Sequence, residues 1–136
     1  MMSLYNLYET DHDVEKGGVI LNYGEGVRIK VARAGGQNVD FGKCIERLTR
    51  QHRDHKGNLT GISDTFASEL WMQAYAESVV KDWEGVSDRE GKPLKFSPEN
   101  CVKLFKDLPD LFADVRAAAE NISNFLADKV EEDAKN

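Results

Sequence analysis

The side chains best suited to chemistry in this chain are two histidines, His52 and His55, which lie three residues apart with Asp54 between them. On a helix this spacing puts both imidazoles on one face, where they could share a metal ion or a proton. Alternatively, they only extend an apolar stripe to a helix C-terminus, where the helix dipole favours an imidazolium. The sequence has no HExxH motif and no third ligand beside them, and His12 lies in a separate acidic segment. We therefore expect no metal site, and we expect that the chain is not an enzyme.

Two glycine-containing segments resemble phosphate-binding loops only superficially. Gly24-Glu25-Gly26 and Ala34-Gly35-Gly36 lack the GxGxxG and GxxxxGK[ST] spacings that aim backbone N–H groups at phosphates. Cys44 and Cys101 are the only cysteines, and each lies within an apolar helical pattern. Reduced core thiols explain them better than a disulfide or a zinc site. We expect turns at the glycines and no cofactor.

Composition bounds the class of protein. The 136 residues are 40% hydrophobic and 31% charged, as in a globular domain, and no apolar run approaches the roughly 20 residues that span a membrane. No signal peptide is evident, so we expect a cytoplasmic protein that does not bind membranes. We expect a single domain over residues 1–127 and a charged, flexible tail over 128–136.

The net charge of −6 is unevenly distributed along the chain. Residues 1–60 hold nine Lys or Arg against eight Asp or Glu, whereas residues 61–136 hold nine against sixteen. Nucleic-acid binding needs a concentrated basic face, which the acidic second half argues against. A protein partner is the better expectation.

The sequence pattern of the N-terminal third predicts β-strands. Val19–Tyr23 and Val27–Val31 flank a glycine turn, and apolar residues alternate with Arg28 and Lys30 in the second segment, so we predict a β-hairpin. Residues 1–16 show no clean periodicity and are read as an ordered or partner-dependent arm. A two-stranded hairpin has exposed edges, which together with the arm favour self-association or capture of an extended segment.

The remaining chain predicts helices with recognisable starts. Asn38, Ser63-Asp64 and Ser97 are candidate N-caps, and Pro98 suits the first position of a helix. The predicted helices run from Asn38 to about Lys56, from Thr65 to about Trp83, from Ser97 to Leu108, and from Pro109 to Leu126. The fold class is therefore α+β, mainly α, with an N-terminal β-hairpin followed by about four helices packed as a small bundle.

Two sets of side chains could bind a partner. The helix from Thr65 is apolar around most of its circumference, so Trp71 and Tyr75 belong either to a core or to a shared surface. Lys43, Arg47 and Arg50 line the polar face of the preceding helix, and they form either a solvated face or a docking surface for acidic groups. We predict a partner-binding apolar patch that includes Trp71 and Tyr75, with these basic residues at its rim. The predicted strand adds three more cations, Arg28, Lys30 and Arg33.

One stretch joins these elements through a series of junction residues. Trp83-Glu84-Gly85-Val86 is expected to close a helix, Asp88-Arg89-Glu90-Gly91 to form a turn, and Phe96-Ser97-Pro98-Glu99-Asn100 to begin the next helix. Trp83 and Phe96 are expected in the core, where they would fix the connection between the two helices.

Several segments together resemble the tail assembly chaperones of long non-contractile-tailed bacteriophages and prophages. The matching stretches are SLYNLYETD (Ser3–Asp11), VRIKVARAGG (Val27–Gly36), WEGVSDREGKPLKFSPENCVKLF (Trp83–Phe105) and DLPDLF (Asp107–Phe112). The resemblance implies a small, mostly helical, non-catalytic protein that self-associates and is absent from the finished virion. It also implies binding to the tape measure protein and, in many such proteins, to the major tail protein. The alternatives are a structural tail or neck protein that stays in the virion, and a small helical nucleic-acid-binding regulator.

Overall fold

The computed structural model describes residues 3–127, and the order of elements confirms the predicted α+β, mainly α class. Two short helices precede the hairpin, four longer helices follow it, and a third strand lies between the second and third of those four. The elements are α1 (Leu4–Tyr8), α2 (His12–Gly17), β1 (Val19–Gly24), β2 (Val27–Val31), α3 (Val39–Thr49), α4 (Asp64–Ser78), β3 (Val80–Glu84), α5 (Pro98–Asp107) and α6 (Pro109–Glu120). Residues 128–136, where a flexible tail was predicted, lie outside the described residues.

The three strands form one antiparallel sheet in the order β1-β2-β3. The predicted hairpin is confirmed, and Glu25 in its turn has a positive φ of 53° between two glycines. The far side of β2 is paired with β3, with Ile29 opposite Trp83. One of the two hairpin edges is therefore covered within the chain, and only β1 and β3 carry free edges in the described sheet.

The predicted helix from Thr65 to Trp83 is wrong at its C-terminal end. The helix α4 stops at Ser78, and Val80–Glu84 forms β3 instead. Two consecutive β-branched residues, Val79 and Val80, disfavour further helix and suit a strand. Val80 and Trp83 are buried while Asp82 and Glu84 are exposed, so the strand has one face on the core. The decisive contribution is the pairing with β2, which lies about fifty residues earlier in the chain.

Two other helices end earlier than predicted. The helix α3 ends at Thr49 and continues only as a 3-10 helix over Arg50–His52, rather than to Lys56. Similarly, α6 ends at Glu120 and is followed by a 3-10 helix over Ile122–Phe125. The apolar pattern of the sequence continues past the end of α6 because Phe125, in the 3-10 helix, is also completely buried.

The predicted helix starts are largely confirmed. The Ser63 hydroxyl accepts a hydrogen bond from the Phe66 amide, and the Ser97 hydroxyl accepts one from the Asn100 amide. Asn38 precedes α3 as predicted, but its side chain does not cap the helix. Instead, its buried amide group donates to the Arg33 carbonyl at 2.8 Å and to the Ser78 carbonyl at 2.9 Å. It thereby ties the ends of β2 and α4 to the start of α3.

The stretch from Trp83 to Phe96 connects the sheet to α5, and both aromatic residues pack at the core as expected. The Trp83 indole N–H donates to the Leu94 carbonyl at 2.8 Å, and the Phe96 ring meets the indole edge to face at 5.1 Å. The predicted turn is present, because the Asp88 carboxylate accepts the Glu90 and Lys92 amides. Gly85 has a φ of 74°, and a Cβ there would lie 2.2 Å from the Gly26 carbonyl oxygen, so only glycine fits this junction.

A single cluster of buried side chains joins the sheet to the helices. Its members come from β2, β3, α4, α5 and α6, and the largest completely buried side chains include Tyr75, Phe105 and Val115. Cys101 lies in this cluster, whereas Cys44 is buried on α3, and both are free thiols as predicted. No helix among residues 3–127 has the length and apolar character needed to cross a membrane.

Candidate functional site

An apolar groove of about 350 Å³ opens beside α3 and the first half of α4. Its walls are mostly aliphatic, with one aromatic ring and two polar side chains. The lining includes Ile45, Leu48, Leu59, Ile62, Leu70 and Trp71, with Thr49 and Arg53 as the polar members. Apolar lining with a few polar groups is the usual composition of a binding site. This groove is the candidate functional site.

The segment between α3 and α4 forms one wall of the groove, and local hydrogen bonds hold it in place. The Asp54 carboxylate accepts the Lys56 and Asn58 amides, both at 2.9 Å. The Arg53 guanidinium donates to the Gly57 carbonyl at 2.7 Å. These bonds fix the loop so that Leu59, which is 51% exposed, lines the groove instead of packing into the core. Sequence analysis did not predict that Leu59 lines the groove, because the loop has no apolar periodicity.

Trp71 lies at the groove as a half-buried side chain, held from two sides. The Phe41 ring lies 6.1 Å from it in a tilted arrangement, and the Arg116 guanidinium lies 4.9 Å from the centre of its ring. A cation over an indole face is a favourable contact that keeps the ring in one orientation. Of the two aromatic residues predicted to contact a partner, Trp71 is therefore the one that is placed to do so.

Tyr75, the other predicted contact, is completely buried and does not belong to a surface patch. Its ring packs edge to face against Phe41 and Phe112, each at 5.4 Å, and its hydroxyl donates to the Glu120 carboxylate at 3.1 Å. Burial first, and then the neighbouring Glu120 carboxylate, raise the pKa of Tyr75 well above its usual range. One helical turn separates it from Trp71, but Phe41 of α3 and Phe112 of α6 cover its ring. In this fold a partner cannot reach its side chain.

The three basic residues predicted at the rim lie on the outer face of α3 and are exposed. Arg47 forms an ion pair with Glu77 of α4 at 2.6 Å, and Arg50, in the 3-10 helix that follows α3, lies 3.9 Å from Glu46 of α3. The groove and these cations lie on different faces of α3, because Ile45 and Leu48 face α4. Lys43 and Arg50 are thus better placed than Arg47 to meet a partner's acidic groups.

Two of the three cations in and just after β2 form ion pairs with acidic residues that are distant in sequence. Arg28 pairs with Glu84 of β3 at 2.8 Å, and Lys30 lies opposite Asp82 in the strand register. Arg33 binds the buried Glu15 carboxylate. The strand therefore offers less free positive charge than its sequence suggests.

His52 lies in the 3-10 helix that follows α3, and His55 lies in the turn after it. The His52 ring contacts Phe66 edge to face at 5.1 Å, and Asp54 is engaged with the backbone of its own turn. Within residues 3–127, no group of three or more His, Cys, Asp or Glu side chains is arranged to hold a metal ion. The two glycine-containing segments that superficially resemble phosphate-binding loops are turns, one in the hairpin and one before α3.

Comparison with known proteins identifies the family to which this chain belongs. The family model described as YdaY prophage protein matches residues 36–136, which is most of the chain. The chain belongs to the YdaY prophage protein family. No curated protein and no solved structure matches it. Membership in the YdaY family supports the phage origin that the sequence resemblance implied, but it does not specify a role in tail assembly.

The matched YdaY region contains every residue that lines the groove, together with α3, α4, β3, α5 and α6. The residues before it hold α1, α2 and the hairpin. The arm predicted at the N-terminus is helical in this YdaY protein, since the Ser3 hydroxyl accepts the Asn6 amide and α1 follows. Its large apolar side chains are exposed. The groove and the exposed side chains of α1 are thus two apolar surfaces of the described chain.

Proposed function

We propose that this YdaY family protein is a non-catalytic tail assembly chaperone that binds the tape measure protein in the host cytoplasm during phage tail assembly. The observation that carries the proposal is the apolar groove beside α3 and α4, which lies in the family-matched region and has Trp71 in its lining. The prophage family and the sequence resemblance to tail assembly chaperones support the same proposal.

The chemistry of the groove suits a helical client. A tape measure protein is long and rich in apolar helix, so its surface needs cover until tube subunits surround it. An amphipathic helix laid in an apolar groove is a recurring recognition mode, in which side chains one turn apart fill the groove. A volume of about 350 Å³ accommodates only a few side chains. Contact of this size is reversible, as a chaperone that must be replaced requires.

The test is co-purification of the tape measure protein, expressed in the same cells, with tagged variants of this chain. Leu59→Asp places a carboxylate in the groove, and we expect it to reduce recovery of the tape measure protein by about tenfold or more. Leu108→Asp is the matched control, because Leu108 is similarly exposed, at 48% against 51% for Leu59, but lies between α5 and α6 and does not line the groove. Equal recovery with both variants contradicts the proposed groove.

A second pair of variants tests the contribution of the basic residues. Lys43→Glu combined with Arg50→Glu reverses two exposed charges without breaking the Arg47–Glu77 ion pair. If these cations steer an acidic partner, recovery at low salt falls and the loss shrinks as salt is raised. Unchanged recovery at low salt removes the basic residues from the proposal and leaves the groove. Mass spectrometry of purified virions would separate a chaperone from a tail or neck protein that stays in the particle.

A further inference from the structure

Trp71 belongs to a closed circuit of side-chain contacts that joins α3, α4 and α6. The Arg116 guanidinium lies 4.9 Å from the centre of the Trp71 indole, and its Nε–H donates to the Glu120 carboxylate at 3.0 Å. The same carboxylate oxygen accepts the Tyr75 hydroxyl at 3.1 Å. Phe41 closes the circuit, because its ring lies 5.4 Å from that of Tyr75 and 6.1 Å from that of Trp71. The orientation of Trp71 therefore depends on α3 and α6 as well as on its own helix.

The position of Arg116 is set by α6, which is attached to the core. Val115 and Ala119, on either side of Arg116 in sequence, are completely buried. The Ala119 carbonyl accepts the Ala34 amide at 3.0 Å, just after β2. The guanidinium therefore approaches Trp71 from a stretch of backbone that the core and the sheet hold in place.

The ion pair between Arg116 and Glu120 matters for orientation more than for stability. The two side chains are 41% and 52% exposed, and exposed pairs four residues apart on a helix stabilise a fold only slightly. The hydrogen bond from Nε, however, fixes the direction of the planar guanidinium, which is the shape that stacks on an aromatic face. Arg116 lies outside the groove lining, so it acts on the groove through Trp71.

The groove offers a ligand mainly apolar surface, because hydrogen bonds within the chain engage its two polar side chains. The Thr49 hydroxyl donates to the Ile45 carbonyl, and the Arg53 guanidinium donates to the Gly57 carbonyl. Trp71 supplies the one aromatic ring of the lining. If this ring were free to rotate, a ligand would have to immobilise it on binding, and that ordering weakens affinity.

We propose that Arg116 is a positioning residue of the groove, which fixes the Trp71 ring in the orientation that a ligand meets. The apolar wall is then formed before binding, and α6 contributes to binding without touching the ligand. The inference rests on the proposed function for the identity of that ligand, an apolar helical segment of the tape measure protein. The orientation of Trp71 can be measured without it.

The first experiment measures near-ultraviolet circular dichroism of the full chain in a Trp83→Phe background, where Trp71 is the remaining tryptophan. We expect Arg116→Gln to remove about half or more of the Trp71 signal, because this signal requires fixed packing, while the far-ultraviolet spectrum stays unchanged. Arg116→Lys keeps a cation for the indole face and should retain more of the signal than Arg116→Gln. Arg28→Gln is the matched control, because Arg28 is ion-paired with Glu84 on the sheet and is 48% exposed.

Three spectroscopic results would overturn the inference. They are a Trp71 signal that Arg116→Gln leaves unchanged, an equal loss in Arg28→Gln, and a loss in Arg116→Lys as large as in Arg116→Gln. The first would show that the ring is held without Arg116. The second would indicate a general loosening of the fold, and the third would mean that the cation over the indole has no effect.

The second experiment measures co-purification of the tape measure protein with variants that retain Trp83. We expect Arg116→Gln to weaken binding by about two- to tenfold, the cost of ordering one large side chain, and Arg28→Gln to bind like wild type. Leu59→Asp tests the proposed function separately. If Leu59→Asp lowers recovery and Arg116→Gln does not, the proposed function stands and the inference fails. If Leu59→Asp recovers as much as wild type, the proposed function fails, and the Trp71 spectrum alone decides whether Arg116 positions the ring.

Discussion

At the scale of single residues, Glu15 is the fully buried charged side chain among residues 3–127. It is 1% exposed, and its two carboxylate oxygens accept hydrogen bonds from the Arg33 guanidinium and from the Gln37 amide at 3.0 Å. Burial alone would raise the pKa of Glu15, but these donors outweigh it and hold the pKa below the ordinary value of 4.5. A lowered folded pKa means that ionised Glu15 stabilises the folded state.

Glu15→Gln should lower the free energy of unfolding at neutral pH by about 1–3 kcal/mol. A glutamine has one acceptor oxygen, so its NH₂ group would face either the Arg33 or the Gln37 donor. The contribution is complete above pH 4.5 and is lost as pH falls through the lowered pKa of the folded state, so the difference between the two proteins should shrink only in acid. Urea unfolding at a series of pH values measures it.

Glu25→Gln is the matched control, because Glu25 is exposed in the hairpin turn. This substitution should change the free energy of unfolding little at any pH. A Glu15→Gln penalty that stays constant from neutral pH to well below pH 4.5 would contradict the assignment of an ionised, stabilising carboxylate.

At the scale of elements, local sequence patterns predicted the starts of helices better than their ends. Ser63 and Ser97 each accept a hydrogen bond from the amide three residues later, which the sequence pattern predicts. The strand β3 depends on pairing with β2 across a long stretch of chain, and the only local signal for it is the pair of β-branched residues Val79 and Val80, which does not by itself separate a strand from a helix end. Non-local pairing is the part of the fold that the sequence alone does not reveal.

The candidate site shows the same division between local and distant causes. The outward face of α3 with Lys43, Arg47 and Arg50 followed from helical spacing, and so did the apolar character around Trp71. The burial of Tyr75 depends on α6, and the neutralisation of Arg47 depends on Glu77 thirty residues later. Neither the burial of Tyr75 nor the neutralisation of Arg47 could be predicted without knowing how elements distant in sequence pack together.

The connection between β3 and α5 depends on Trp83, and a conservative substitution tests it. Trp83→Phe keeps an aromatic ring in the core but removes the indole N–H, which leaves the Leu94 carbonyl without its donor. We expect a loss of about 1–2 kcal/mol in the free energy of unfolding. The Leu94 amide, which donates to the Val86 carbonyl at 2.8 Å, should exchange its hydrogen faster because the loop opens more often.

Trp71→Phe serves as the control for this prediction, since Trp71 is the only other tryptophan and lies on α4 away from the loop. Its substitution should leave hydrogen exchange at Leu94 unchanged. Equal acceleration at Leu94 in both variants would indicate a general loss of stability and would argue against a connection centred on Trp83.

At the scale of the whole molecule, the two cysteines can report whether the described residues unfold as one unit. Cys44 lies on α3 and Cys101 on α5, and both are buried. Burial raises the pKa of Cys101 to about 12, and burial followed by the Glu77 charge raises the pKa of Cys44. Thiol reagents attack the thiolate, so neither cysteine should react at neutral pH while it stays in the folded structure.

Labelling at increasing urea concentrations therefore measures the opening that exposes each thiol. If residues 3–127 form one cooperative domain, the labelling of both cysteines should follow the same midpoint as the loss of helical circular dichroism. Mass spectrometry of peptides separates the two sites, and unfolded protein gives the reference rate for each. Labelling of Cys44 at a much lower urea concentration than Cys101 would mean that α3, and with it one wall of the groove, opens independently. The groove would then be a mobile site that forms around its partner.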